Sequence, residues 1–421
     1  MKVLWLLNFI PPVMAKALRL PVQAGGSWVM ALQQALQGFG PLELVLCAYA
    51  NQLEQPQRRQ LEGCTYLVLP SSGGKQALEQ ALQQEQPDLV QLFGTEFQHA
   101  QWLFECFDAQ RILVHIQGLA GPYAQHLPDG LPPRLLRAHP LRDRLAQATG
   151  GSTVHQLYQT MTRQGQAEQQ LFGQVCHVLG RTQWDRALAT GWNPQVQYHC
   201  IGEIMRSVFY EGGWHPRTPG CDPVLFVSQA HLPFKGLHWL IEALPEIRRH
   251  FPGVQVQVAG WPPQNKGLLQ PVYHWLADYQ GYLAGLARRL GVADCIHYTG
   301  VLDAAGMRDA FLNSDVFVMP STIENSPNAL GEAMLLGMPC IAAQVGGIPS
   351  MLTSGKEGLL FDPCQPGALA QRVVELLRQP QKAAQLGAAA RQRALAAHDP
   401  AAIAQAHWVL YQQICSKEVQ P

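Results

Sequence analysis

The chain has 421 residues, 47% of them hydrophobic and 14% charged, and its 30 basic residues balance 30 acidic ones. That length exceeds what one hydrophobic core usually organises, so two domains are expected. A net charge of zero gives no footing for nucleic-acid binding. The ten cysteines are scattered, without C-x-x-C pairs or Cys/His metal spacing. The opening MKVLWLLNFIPP carries one lysine and a short apolar run closed by two prolines. This is the pattern of a buried strand rather than a signal peptide, and no apolar stretch nears the ~18 residues of a membrane span. A cytoplasmic protein with reduced thiols is expected.

Short apolar runs alternate with helical patterns from the start, the mark of parallel α/β units. Val3–Leu7, Leu42–Cys47, Tyr66–Leu69, Leu89–Leu92, Ile112–Ile116 and Val175–Leu179 read as strands; Ser27–Gln37, Lys75–Gln86 and Ala100–Phe107 read as helices. Gly25-Gly26 precedes Ser27, a natural helix cap. In a doubly wound fold this turn lies at the carboxyl edge of the sheet, where ligands bind; a tight turn without a ligand is the plainer reading. Beyond Leu92, Glu96 and His99 are candidates for acceptor contact or general-base work. The alternative there is a helix start capped by Thr95, with Glu96 favoured by the helix dipole.

Ile116-Gln117-Gly118 closes a strand and opens an irregular loop, with His115 two residues before Gln117 on the same strand face. His115 is either a functional imidazole or a core histidine, and Gln117 cannot act as a base. Pro132–Leu145 interleaves Arg134, Arg137, Arg142 and Arg144 with four leucines. It suits peripheral contact with an anionic membrane and a lipid-linked acceptor, or a solvated, salt-bridged helix face. Farther on, Thr182 is a natural cap for the helix after Arg181. The first domain is read as residues 1–210, and the Gly- and Pro-rich stretch 211–223 as a linker.

A second α/β series starts at Val224–Ser228 and is read as a domain over residues 224–399. Lys235-Gly236 stands just before an amphipathic helix whose core face is Leu237, Leu240, Ile241, Leu244 and Ile247. Val254–Ala259 and Ile296–Thr299 are strands, the latter ending in Gly300-Val301. The stretch SDVFVMPSTIENSPNALGEAMLLGMPCIAAQVGGIPSMLTSGKEGLLFD, Ser314 to Asp362, organises this half. It reads as strand (Val316–Met319), polar loop, helix (Asn328–Leu336), second strand (Cys340–Ala343), Gly346-Gly347 turn and short strand. Glu324 and Glu332 bracket the loop and what the spacing predicts to be the first helical turn. The turn amides near Asn325, Ser326 and Asn328 are expected to have few partners within the helix and so to offer a seat for an anion. A final helix, about Ala401 to Ser416 within residues 400–421, is expected to cross back onto the first domain.

Glu324 and Glu332, seven residues between them, and the following GMPCIAAQVGGIPSMLTSGKEGLLF resemble the E-x7-E signature and adjoining run of retaining glycosyltransferases of family 4. The variant SxIENSPNxLGEAM resembles a subgroup of bacterial capsule, exopolysaccharide and lipopolysaccharide assembly. The resemblance is firm over Val224–Phe361 and loose before it. It implies an α/β architecture of two Rossmann-like doubly wound domains facing across a cleft, the GT-B fold. It implies that the Gly25-Gly26 turn faces the donor phosphates and that Lys235 contacts the donor diphosphate. It further implies that Glu324 holds donor-sugar hydroxyls, Glu332 the nucleotide ribose and the Val301 region the nucleobase. Two positions depart from the pattern: Gln117 stands where many members have a histidine near the reacting sugar, and Ala230 where an arginine usually assists the lysine.

Transfer from a nucleotide-diphosphate sugar requires stabilising a leaving diphosphate and a positive anomeric centre. No D-x-D triplet occurs, so that motif gives no sign of carboxylate-held Mg2+, and no cofactor beyond the donor is expected. Lys235 and the amides near Asn325–Asn328 would then carry the leaving charge. The family retains configuration, and no carboxylate nucleophile stands out in the first domain; front-face transfer, with the leaving phosphate helping to deprotonate the acceptor, is what the resemblance implies. The expected function is extension of a surface polysaccharide or lipid-linked glycan. The alternatives are an epimerase or sugar phosphorylase on the same architecture, or a non-catalytic sugar-nucleotide-binding homologue.

Overall fold

The computed structural model describes residues 1–22, 26–148, 151–218, 220–228, 231–260 and 278–416. Gly25 and Ala230 lie outside them. The described chain divides into two compact units. One comprises residues 1–119, 164–206 and the chain from 398 onward; the other comprises 120–163 and 207–397.

In the first unit, the described strands are β1 (Lys2–Leu6), β2 (Glu43–Ala50), β3 (Gln57–Leu61), β4 (Cys64–Pro70), β5 (Leu89–Phe93), β6 (Ile112–His115), β7 (His177–Gly180) and β8 (Gln197–Cys200). They lie in the order β3-β4-β2-β1-β5-β6-β7-β8, parallel except for the β3–β4 pair. Successive side chains on a strand point to opposite faces, so each apolar run feeds two cores. Val3, Trp5, Leu46 and Tyr66 pack on one face with Val29, Leu32, Ile403 and Tyr411. Leu4, Leu6, Val45 and Leu67 pack on the other with Leu78, Leu82, Ala100 and Leu103. The helix Pro400–Ser416 therefore completes the first unit. Its Tyr411 hydroxyl accepts a hydrogen bond from Trp5 Nε1 at 3.1 Å and donates to Gln91.

The second unit holds β9 (Val224–Val227), β10 (Gln255–Ala259), β11 (Ile296–Gly300), β12 (Val316–Met319), β13 (Cys340–Ala343) and β14 (Leu359–Phe361), in the order β11-β10-β9-β12-β13-β14. The described pairings are all parallel. From β9 the chain winds outward one way through β10 and β11, then returns to β12 and winds the other way. The crevice beyond the carboxyl ends of β9 and β12 is thus the topological switch point, where open α/β sheets bind ligands. The first sheet has the same kind of switch between β1 and β5.

The unit boundaries differ from those expected. Residues 120–163, assigned from sequence to the first domain, belong to the second unit. Arg142 pairs with Asp278 at 3.5 Å, Asp278 accepts the Val154 amide at 3.2 Å, and His238 Nε2 lies 3.1 Å from the Asp129 carbonyl. The stretch expected as a linker is bonded to the second unit as well. Trp214 donates its indole N–H to the Ser314 carbonyl at 2.7 Å, and Arg217 pairs with Asp315 at 2.9 Å. Pro132–Leu145 is not one helix: it forms Pro133–Leu136 and Pro140–Ala148, because a proline cannot continue the first segment and is suited to open the second.

Candidate donor site at a sheet switch point

The loop after β9 and the loop after β12 meet at the second unit's switch point. Thr322 donates its amide to the Phe234 carbonyl at 2.8 Å. Gly236 has a φ of +70°, and a Cβ there would run into the Pro320 carbonyl; only glycine accepts both the conformation and the close approach. The seam sets Lys235 Nζ 2.8 Å from Glu324 Oε1, and Ser321 Oγ donates to the same oxygen at 2.8 Å. Gly346, at φ +50°, lies so close to the Glu324 carbonyl that a Cβ would collide with it, and Gly347 donates its amide to that carbonyl at 2.9 Å. The G-G-I-P turn is therefore a backbone clamp on Glu324. The carboxylate is buried and the lysine half-buried. The ammonium has three protons, so it can serve Glu324 and an incoming anion together.

Pro327 precedes the helix Asn328–Leu335, and no side chain caps its first turn. Asn325 donates its amide to the Tyr123 hydroxyl at 3.1 Å. Ser326 and Asn328 are half-buried beside it. Glu332 is only 4% exposed, but it is the fifth residue of this helix, and the first turn holds no acid. Glu332 thus lies beyond the first helical turn that the sequence suggested, where the helix dipole's effect has faded. Val301, 55% exposed, follows the Gly260–Gly300 bridge, whose two reciprocal hydrogen bonds are 2.9 and 3.1 Å.

The first unit places its expected residues differently. Gly26, at φ +71°, caps the helix Ser27–Leu36, so the cap falls one residue before Ser27; a Cβ on Gly26 would strike the Phe9 ring. Glu96 lies across the β1–β5 switch, accepting from Asn8 Nδ2 at 3.3 Å, and burial raises its carboxyl above the usual range. Thr95 is not a helix cap. Its hydroxyl donates to Glu168, and the helix begins at Gln98 after Phe97. His99 is stacked between Tyr49 and Phe97, centroids 5.8 and 5.5 Å away, and burial holds its imidazole at about 4, hence neutral at physiological pH.

His115 is fully buried. Its ring lies 3.2 Å from Gln91 Nε2, 3.7 Å from Glu203 and edge-on to Trp28. Burial first, then the Arg181 charge, keeps it well below the usual histidine range. This is the setting of a core histidine, one of the two readings its sequence position left open. Gln117, half-buried, follows a strand end held from beneath. Arg181 donates to the Ile116 carbonyl at 3.2 Å and pairs with buried Glu203, and Thr182 caps the next helix in a capping box with Asp185. Sequence reasoning missed Ser321, Tyr123 and Glu203. Ser321 could have been suspected from its three-residue spacing to Glu324, whereas the other two carry no local signal.

Comparison with known proteins adds to this geometry. The model of the family described as "Glycosyl transferases group 1" matches residues 222–379. The GDP-mannose-dependent alpha-(1-6)-phosphatidylinositol monomannoside mannosyltransferase of Mycolicibacterium smegmatis is 31% identical over 183 residues, which are 42% of this chain and 44% of that protein. The match thus spans less than half of that relative's length. Sucrose-phosphate synthase from Thermosynechococcus elongatus is similar in structure, with a TM-score of 0.73 and 18% identity over 99% of this chain and 100% of that one. Anabaena HepE in complex with UDP-glucose has a TM-score of 0.65 and 17% identity, covering 98% and 100% of the two chains. Residues 222–379 therefore match the glycosyl transferases group 1 family, in a chain with the GT-B fold.

Proposed function

We propose that the protein is a retaining glycosyltransferase of the family 4 kind. It moves a sugar from a nucleotide diphosphate to a hydroxyl of a glycan or lipid-linked acceptor, in the cytoplasm, during surface polysaccharide assembly. The observation that carries this reading is the Lys235–Glu324 pair, clamped by two glycine turns at the switch point of the second sheet. Lys235 and the loop amides supply positive potential for the leaving diphosphate without a resident metal or cofactor. Glu324 accepts hydrogen bonds from donor-sugar hydroxyls and Glu332 from the ribose, while the backbone around Val301 borders the base. In the first unit, Gly26 borders the donor phosphates, and Glu96 and His99 contact the acceptor. Gln117 meets the reacting sugar as a hydrogen-bonding group, not a base. Retention follows front-face transfer, the leaving phosphate taking the acceptor proton.

The UDP-glucose complex of HepE supports a nucleotide-sugar partner, and the phosphatidylinositol-linked acceptor in the mannosyltransferase's name supports a lipid-linked one. Peripheral membrane contact has its own support. Arg142 is turned inward to Asp278, but Arg134, Arg137 and Arg144 are exposed, as are Leu141 and Leu145, 61% and 41% exposed. Among the described residues no helix is long and apolar enough to cross a membrane. Sedimentation with phosphatidylglycerol vesicles, lost in Leu141→Gln/Arg144→Gln, is the expected result. Equal binding to phosphatidylcholine would favour the solvated-face reading.

Incubation with UDP-, GDP- and ADP-sugars in EDTA, with glycan and lipid-linked acceptors, tests the reaction. Acceptor-dependent nucleotide release and a product with the donor's anomeric configuration are expected. Donor binding without transfer to any acceptor would favour the non-catalytic reading, and conversion of the donor without an acceptor would favour an epimerase.

A further inference from the structure

The Asn325 amide stands in the loop that leads from Glu324 to the helix Asn328–Leu335, among the groups assigned to the donor. Its hydrogen bond goes to a side chain more than two hundred positions earlier. Tyr123 Oη accepts it at 3.1 Å, and the Tyr123 ring stands edge-on to Phe234, centroids 5.3 Å apart at 77°. Phe234 precedes Lys235, so one tyrosine touches both loops that make the switch-point site.

Tyr123 is held there from behind. It lies on the short helix Ala120–His126, whose Ala120, Pro122 and Ala124 are buried. The following turn is pinned to the helix Leu237–His250 by the His238–Asp129 contact at 3.1 Å, and a Cβ on Gly130 would strike Trp239. The ring is placed by packing, and the hydroxyl reaches the Asn325 amide.

We propose that Tyr123 tunes donor affinity by competing, through its hydroxyl, for the Asn325 amide. A backbone amide has one proton, so an oxygen of the donor can take it only by displacing the phenol. The exchange sets a threshold: a donor that also engages Lys235 overcomes it, and a lone sugar or phosphate does not. The proposal rests on the donor-site reading above.

The test is calorimetric titration of the full chain with UDP, GDP and ADP, for the wild type, Tyr123→Phe and Lys235→Ala. Phenylalanine keeps the ring and removes the hydroxyl that holds the Asn325 amide. A hydrogen bond is worth about 0.5–1.5 kcal/mol net, so Tyr123→Phe should bind the accepted nucleotide about two- to tenfold more tightly. A merely structural tyrosine would give equal or weaker binding, and either result overturns the proposal. Binding by Tyr123→Phe where the wild type binds nothing measurable would support it. If wild type binds with dependence on Lys235 while Tyr123→Phe is no tighter, the competition alone fails. If no variant binds any nucleotide, the donor-site reading fails and the competition falls with it.

Discussion

At Lys235 one ammonium answers to two partners. It holds Glu324 at 2.8 Å and, in the proposed reaction, the leaving diphosphate. Lys235→Ala should therefore weaken nucleotide-diphosphate binding about tenfold to a hundredfold, the value of one charge-assisted hydrogen bond. The fold should survive, since Ser321 still serves Glu324. A variant that binds the nucleotide as tightly as wild type would remove Lys235 from the site. Both charged groups were legible in sequence because the E-x7-E spacing and the Lys-Gly before a helix are local patterns. Tyr123 and Glu203 were not legible: the one acts on an amide across a long chain separation, and the other is a lone carboxylate whose partner Arg181 becomes its neighbour only in the fold. For His115 the sequence offered two roles, and only burial distinguishes them.

At the scale of elements, the site depends on three loops held together by close backbone approach. Gly236→Ala and Gly346→Ala each place a Cβ against a carbonyl at positive φ. Each should cost about 1–3 kcal/mol of strain, lower the thermal midpoint and reduce donor binding. Wild-type midpoints in both would contradict the clamp. The buried parallel strands were legible because strands covered on both faces read as continuous apolar runs. The edge strands β3 and β8, QRRQL and QYHC, were missed because exposed or half-exposed edges carry polar residues and no run to recognise. The stretch 211–223 was misread for a related reason. Gly and Pro density reports irregular backbone, but Trp214 and Arg217 bind that backbone firmly to the second unit.

At the scale of the whole molecule, histidine burial sets the response to acid. Burial holds His99, His238 and His407 at about 4, and His115 and His398 below the usual range. The folded state keeps these imidazoles neutral, whereas the unfolded chain takes up protons near ~6.5. Their contribution is complete above that pH and is lost as pH falls toward about 4. Asp278 acts oppositely: burial raises its carboxyl to about 6, so its contribution grows as pH falls through that value. Glu96 and Glu242, also raised by burial, act with Asp278, but the five imidazoles outnumber these three carboxyls. The thermal midpoint should drop between pH 7 and pH 5, with a shallower slope in His407→Gln, and a flat midpoint would contradict this account.

The two units each wind outward from a central strand, β1 in one and β9 in the other, and the family match lies within the second. In the proposed reaction the β9–β12 crevice seats a nucleotide diphosphate. The most direct test is calorimetric binding of UDP, GDP and ADP in EDTA and then with Mg2+, to wild type and Glu332→Ala. One nucleotide should bind in EDTA, unchanged by Mg2+, and Glu332→Ala should weaken it at least about tenfold through loss of hydrogen bonds to a charged group. Absence of binding by all three, or equal binding by wild type and Glu332→Ala, would contradict this donor seat.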